Sequence, residues 1–231
     1  MAKIRRVRAY IDGFNFYYGL KSMNWKKYYW LDMVQYIESF MYASMKLESV
    51  TYFTAKHTNP NKRKRQEALL KANLLNERFA VVYGNYAREP HPEKLNDGKA
   101  GWIEEKKTDV NLSIAMIDDV HFDRCDVSFL VTADTDQAPT LHHIKKLSTG
   151  HEIFMLFPPN RFNNELKQLA RAPYRVEDYE SRLRDSLLPQ SVVLPNSNTL
   201  SCPFDWLPHY QTVVKPLANP IVGAEPPNPN E

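Results

Sequence analysis

The chain has 231 residues, of which 43% are hydrophobic and 25% charged, so it can form one sizeable core and a smaller appendage. No run of about 18 apolar residues occurs, and no apolar signal segment follows the basic N-terminus, so we expect no membrane contact. Cys125 and Cys202 are the only cysteines and lack the spacing of metal ligands. These features predict a soluble, cytoplasmic protein with reduced thiols.

Strand and helix signals alternate along the chain. The predicted strands cover residues 7–11, 50–55, 79–84, 127–131, 153–157 and, as a short edge strand, 174–176. Several of them are apolar throughout, which is typical of strands that are buried on both faces. Right-handed crossovers then predict a doubly wound α/β fold with a mostly parallel sheet of about five to six strands and helices on both faces.

Two of the intervening helices carry charges of interest. Residues 61–78 predict a basic helix that includes the cationic block Lys62, Arg63, Lys64 and Arg65. Such a block is usually a solvated face, but in a protein that binds nucleic acid it can contact phosphates. A second helix begins at residues 106–109, and its expected buried positions are Val110, Ile114, Ile117 and Val120, with Asp119 solvated near its end.

Carboxylates follow two of the predicted strands. Asp12 ends the first strand, Asp134 and Asp136 end the fourth, and Asp109 begins the helix before the fourth. If the first and fourth strands are neighbours, their carboxyl ends bring these acids into one crevice. Acids gathered there repel one another unless a cation lies between them, and hard oxygen ligands suit Mg²⁺ or Mn²⁺. The pattern therefore predicts metal-dependent phosphoryl chemistry at Asp12, Asp109, Asp134 and Asp136. The simpler alternative is that Asp134 makes a turn and Asp136 caps the next helix.

Three segments resemble motifs of one family. Residues 10–15, Tyr-Ile-Asp-Gly-Phe-Asn, look like the opening motif of NYN-domain proteins, the LabA-like branch of the PIN-like nucleases. Residues 104–112 are similar to the family's Glu-Glu-Lys-Gly-x-Asp-Val-x-Leu segment, and residues 131–136 resemble its Ser-x-Asp-Ser-Asp motif. The resemblance covers about residues 7–172. Two departures from it are Lys107, in place of a glycine, and Gln137, in place of an apolar residue.

The resemblance implies a PIN-like, Rossmannoid sheet and a metal-dependent ribonuclease site. The four acids would be the metal-binding and catalytic residues, while Asn15, Thr132 and Thr135 would contact substrate or metal-bound water. It also implies a nuclease domain over residues 1–180 and a C-terminal extension over 181–206 that packs on this domain. Nine of the sixteen prolines lie at or beyond Pro189, so we expect residues 207–231 to be a flexible tail.

Other functions stay open at this point. The same crevice could serve a catalytically weak regulator that binds RNA or a nucleotide, and the two departures keep this alternative open. A metal-dependent phosphatase is less favoured, because the first strand ends in Asp12-Gly13-Phe14 rather than Asp-x-Asp. We expect RNA as the partner and leave open whether the chain is a homo-oligomer.

Overall fold

A computed structural model describes residues 3–88 and 103–213. Its strands are β1 (Arg5–Asp12), β2 (Met45–Thr54), β3 (Phe79–Tyr83), β4 (Asn85–Arg88), β5 (Ile103–Lys106), β6 (Val127–Val131), β7 (Glu152–Phe157), β8 (Ala172–Arg175), β9 (Ser191–Val193) and β10 (Thr199–Ser201). Its helices are α1 (Gly13–Ser22), α2 (Met33–Glu38), α3 (Pro60–Asn73), α4 (Thr108–His121), α5 (Ala138–Leu147), α6 (Asn164–Leu169), α7 (Glu180–Asp185) and α8 (Leu207–Gln211). Short 3₁₀ turns cover Lys26–Tyr28, Thr135–Gln137 and Val176–Tyr179.

A six-stranded sheet forms the centre, in the order β3-β2-β1-β6-β7-β8. Each neighbouring pair in this sheet is parallel. From β1 the chain builds outward through β2 and β3, and it then returns to the other side of β1 to add β6, β7 and β8. The predicted α/β class and mostly parallel sheet are thus confirmed, and the strand order reverses between β1 and β6.

Helices cover both faces of this sheet because its strands are apolar on both sides. In β1, Val7, Ala9 and Ile11 belong to one buried cluster, whereas Tyr10 belongs to the opposite one. Every residue of β6 is buried. This two-sided burial is the reason the strands read as continuous apolar runs rather than as alternating ones.

The buried face of α4 differs from the predicted one. Val110 and Ile114 are 60% and 52% exposed, while Leu112 and Met116 are fully buried. The helix is apolar on more than one side, so periodicity alone did not identify the side that packs on the sheet. Asp119 is also buried rather than solvated, because it accepts hydrogen bonds from two residues of β1, described below.

The C-terminal segment packs on the sheet domain. Trp206 packs edge-on against Tyr29 with their ring centroids 5.5 Å apart. The expected flexible tail begins at residue 207, yet Leu207–Gln211 forms α8 and the Tyr210 hydroxyl donates to the Leu188 carbonyl over 2.8 Å. The apolar ring of Tyr210 is buried there, which holds this short helix in place. The rest of the predicted tail, residues 214–231, lies outside the described residues, and no helix within the described ranges has the length and apolar character to cross a bilayer.

Candidate metal centre

Three carboxylates converge at the carboxyl ends of β1 and β6. Asp12, Asp109 and Asp134 each offer a carboxylate oxygen, and these oxygens lie within 4.8 Å of one another. Asp12 is the last residue of β1, Asp134 follows β6, and Asp109 lies in the first turn of α4. The reversal of strand order between β1 and β6 brings the three together, as expected at a topological switch point.

Both oxygens of Asp12 are held by hydrogen bonds. Its Oδ1 accepts from the backbone N–H of Asn15 over 3.0 Å, which caps α1, and its Oδ2 accepts from the Thr132 hydroxyl over 2.9 Å. The residue is only 4% exposed. Asp12 can therefore cap α1 and still belong to the acidic group, because a carboxylate oxygen can accept a hydrogen bond and still offer a second lone pair.

Asp134 is fixed through the same threonine. The backbone N–H of Asp134 donates to the Thr132 hydroxyl oxygen over 3.1 Å, and Asp134 Oδ1 accepts from the N–H of Asp136 over 3.0 Å. Asp134, not Asp136, is thus the residue that caps the turn after β6. The side chain of Asn15 accepts from the N–H of Ala133 over 3.2 Å, which ties α1 to this turn.

Asp109 is positioned by a buried polar network around Gln137. The Gln137 amide nitrogen donates to the Asp109 carbonyl over 3.4 Å, while its oxygen accepts from the Ser113 hydroxyl over 3.0 Å. The Thr140 hydroxyl donates to Ser113 over 2.9 Å. Gln137 is 1% exposed, so this departure from the family pattern joins the acidic turn to the start of α4.

Lys107 lies immediately before α4 with φ of 76°. This left-handed conformation favours glycine, which explains why a glycine is usual at this point of the motif. The lysine adopts this conformation, so the departure from the motif carries a cost in backbone strain.

The remaining predicted residues lie at different depths. Asp136 and Thr135 are exposed, and Asp136 is not part of the group of three oxygens. Thr132, expected to contact substrate, is 0% exposed, and its hydroxyl lies between Asp12 and Asp134. Its position makes it a residue that orients the acids.

The donor set fits a small, hard divalent cation. Oxygens that share a Mg²⁺ ion at about 2.1 Å lie roughly 3–4 Å apart, and the three carboxylates already approach this spacing. Three converging anions without a cation would repel one another. Asp12, Asp109 and Asp134 are therefore the residues that would hold Mg²⁺ or Mn²⁺.

A cavity of about 350 Å³ opens beside this centre, at Gly13 and Phe14. Lys62 and Arg65, one turn apart on α3, line it, whereas Arg63 and Lys64 are exposed outside it. The cationic block is thus divided between the cavity and the solvent. Further lining residues come from α1, β2 and α3, from the segments that follow the first 3₁₀ turn and β2, and from the C-terminal segment: Tyr17, Tyr18, Tyr29, Tyr52, His57, Gln66, Asp205 and Trp206.

Close packing connects the cavity to the metal centre. A Cβ atom on Gly13 would lie 2.4 Å from the Tyr52 ring and 2.8 Å from the Phe53 carbonyl, so only glycine fits beside Asp12. The Tyr52 hydroxyl donates to the Gly13 carbonyl over 3.2 Å. Burial, followed by the charge of Asp12, raises the pKa of Tyr52 well above its usual value.

The fold and this site define a parallel α/β protein with an acidic cluster at its topological switch point. A statistical description of the NYN domain matches residues 6–176, and the chain belongs to this family. The family assignment confirms the resemblance seen in the three motifs and implies a nuclease-like fold.

Two further comparisons give relatives of this chain. It is 29% identical over 175 residues to 6-hydroxy-3-succinoylpyridine 3-monooxygenase HspA from Pseudomonas putida (strain DSM 28022 / S16). That match covers 61% of this chain and 55% of the relative, so the chain spans about half the length of the curated relative it matches. A crystal structure of a protein of unknown function from Vibrio parahaemolyticus RIMD 2210633 superposes with a TM-score of 0.53 at 16% identity. It covers 81% of this chain and 99% of its own, and it is similar in fold.

Sequence reasoning missed several residues of this region. Gln137 was noted only as a departure from the motif, because its partners Ser113 and Asp109 lie more than twenty residues away in the sequence. Tyr52 and Trp206 gave no local signal, because their positions in the cavity depend on packing between segments that are distant in sequence.

Proposed function

We propose that this protein is a divalent-metal-dependent ribonuclease that hydrolyses RNA phosphodiester bonds. The observation that carries the proposal is the convergence of Asp12, Asp109 and Asp134 at the β1–β6 switch point. Membership of the NYN family, with its nuclease-like fold, supports a nucleic acid as the substrate.

In this proposal each polar residue has a separate task. Asp12, Asp109 and Asp134 hold Mg²⁺ or Mn²⁺, which when bound supplies an activated water and neutralises charge on the phosphate. Thr132 holds Asp12 and the Asp134 backbone in register. The exposed Asp136 would complete the acidic cluster directly or through water, the exposed Thr135 would contact the entering substrate, and the amide of Asn15 would orient the attacked phosphate.

The cations of α3 bind the RNA backbone outside the reacting bond. Lys62 and Arg65 contribute from the cavity, while Arg63 and Lys64 contact phosphates further along the strand. Neutralising phosphates releases counterions, so RNA affinity falls steeply with salt concentration. The substrate is single-stranded or structured RNA in the cytoplasm.

The test is cleavage of a labelled RNA with Mn²⁺ by the wild type and by Asp134→Asn. We expect the variant to lose at least about a hundredfold in rate, since a metal ligand is removed. Asp118→Asn is the matched control, because Asp118 is an exposed carboxylate on α4 away from the group of three. Equal rates for wild type and Asp134→Asn would contradict the proposal. Salt-sensitive RNA binding that persists in EDTA, together with no cleavage in Mn²⁺, would instead favour the regulatory RNA-binding alternative.

A second candidate function is the oxidation of a small aromatic acid. The name of the Pseudomonas putida relative, a succinoylpyridine monooxygenase, and the aromatic and cationic lining of the 350 Å³ cavity favour it. Such a reaction consumes dioxygen and two electrons from an external donor. Oxygen uptake that requires 6-hydroxy-3-succinoylpyridine and a reduced nicotinamide donor would support it, and the absence of such uptake would eliminate it.

A further inference from the structure

The cavity beside the metal centre combines an aromatic wall with a cationic floor. We infer that it binds a single nucleotide of RNA, with the base on the tyrosine rings and the phosphate on Lys62 and Arg65. A ligand that suits such a cavity has a planar ring and a negatively charged group. The inference depends on the proposed function for its choice of a nucleotide as that ligand.

The aromatic wall is a chain of rings in mutual contact. Tyr18 lies 5.3 Å from Tyr17, Tyr17 lies 5.3 Å from Tyr29, and Tyr29 lies 5.5 Å from Trp206, all between ring centroids. Tyr18 is 44% exposed, so part of its ring is accessible to a ligand. A base stacked on such a surface needs no particular sequence, because each base has a flat π-face.

The charge of the lining favours an anion. Lys21, Lys26, Lys62 and Arg65 contribute four cations to the cavity, against one carboxylate, Asp205. His57 also lines it, and burial, followed by the charges of Lys62 and Arg65, lowers the pKa of this histidine. The imidazole is therefore neutral at pH 7 and able to form a hydrogen bond, while the lysines and the arginine provide the attraction for a phosphate.

The C-terminal segment completes the cavity. Asp205 forms an ion pair with Arg65, and Trp206 closes the end of the aromatic wall. This pairing holds the Arg65 guanidinium in place but leaves several of its five N–H donors for a phosphate. The sheet domain alone would lack this side of the cavity.

The cavity also lies where a bound nucleotide would be useful to the metal centre. Gly13, which follows Asp12 in the chain, lines the cavity, and the Tyr52 hydroxyl donates to the Gly13 carbonyl. The charge of Asp12 also acts on Tyr52 and raises its pKa. A nucleotide held here places its neighbour in the RNA strand at the three carboxylates. The cavity thus sets the register of the strand relative to the bond that is cut.

The experiment is calorimetric titration of the full chain in EDTA at one salt concentration. The probes are adenosine 5′-monophosphate, ribose 5-phosphate, adenosine and 6-hydroxy-3-succinoylpyridine. We expect the monophosphate to bind at least about tenfold more tightly than ribose 5-phosphate or adenosine, since each lacks one half of the recognised group.

Two variants and two controls test the position of the ligand. Lys62→Gln and Tyr18→Ala should each weaken monophosphate binding by about tenfold. Lys71→Gln, an exposed lysine on the same helix but outside the cavity, and Tyr83→Ala, an exposed tyrosine on β3, should stay within about twofold of the wild type.

The outcomes separate this inference from the proposed function. Equal binding of monophosphate and ribose 5-phosphate, or equal losses in Lys62→Gln and Lys71→Gln, would overturn the nucleotide site. Binding of the pyridine acid without binding of the monophosphate would overturn it as well. Monophosphate binding in a protein that fails to cleave RNA would contradict the ribonuclease proposal and leave the nucleotide site supported.

Discussion

Replacing Thr132 by valine tests the assembly of the acidic group most directly. Valine keeps the shape of the side chain but removes the hydroxyl that donates to Asp12 Oδ2 over 2.9 Å and accepts from the Asp134 N–H over 3.1 Å. A hydrogen bond to a charged group contributes about 1.5–3 kcal/mol, and the N–H left without its acceptor adds to the loss. We expect Thr132→Val to lower the free energy of unfolding by about 2–3 kcal/mol.

Urea denaturation of the metal-free protein measures this loss, which corresponds to roughly 4–12 °C in Tm for a domain of this size. Thr132→Ser retains the hydroxyl and should recover all but about 1 kcal/mol, the contribution of the buried methyl group. Thr135→Val is the matched control, since Thr135 is exposed in the same turn, and it should stay within about 0.5 kcal/mol of the wild type. Our account of the site would be refuted by a Thr132→Val variant as stable as the wild type, or by equal losses at both threonines.

Three further predictions concern stability. Lys107→Gly should raise the free energy of unfolding by roughly 0.5–1 kcal/mol in urea denaturation, because it relieves a φ of 76°. Asp119→Ala should lower it by about 3–5 kcal/mol, since it leaves Arg8 without its partner at 3.0 Å and Tyr10 without its acceptor at 2.8 Å, whereas the exposed Asp118→Ala should cost little. Burial lowers the pKa of His151 below its usual 6.5. As the pH falls, the imidazole therefore binds a proton in the unfolded chain before it does so in the folded protein, and stability is lost from about pH 6.5 downward. His151→Gln should make the unfolding free energy less dependent on pH between about 5 and 7, and an unchanged slope would contradict this assignment.

Much of the fold could be predicted from the sequence because the signals were local. Several of the six strands of the sheet, such as β6 and β7, are short and largely apolar runs, and burial on both faces makes such runs distinctive. Asp12, Asp109 and Asp134 could be placed together because the strand ends of a doubly wound sheet meet at one edge. The prediction failed on α4, where Val110 and Ile114 continue the apolar pattern but face outward.

The cavity could not be predicted in this way. Lys62 and Arg65 differ from Arg63 and Lys64 only in the direction they face on α3, which depends on how that helix packs. The aromatic wall joins residues of α1 to Trp206, and no local sequence pattern indicates a contact between residues so far apart in the chain. The burial of Asp119 has the same origin, because its partners Arg8 and Tyr10 lie on β1.

These contacts join residues that are far apart in the sequence. The order of synthesis therefore determines when each site can form in a newly made chain. Thr132 and Asp12 are 120 residues apart, and Arg65 and Asp205 are 140 apart. Ribosomes add about 5–20 residues per second, so Asp12 leaves the exit tunnel many seconds before its partners do. A nascent chain therefore holds isolated acids rather than a cluster, and the wall formed by Trp206 comes last. Translation itself delays the acidic group until Asp134 has left the tunnel, and the cavity until nearly all of the described chain has been made.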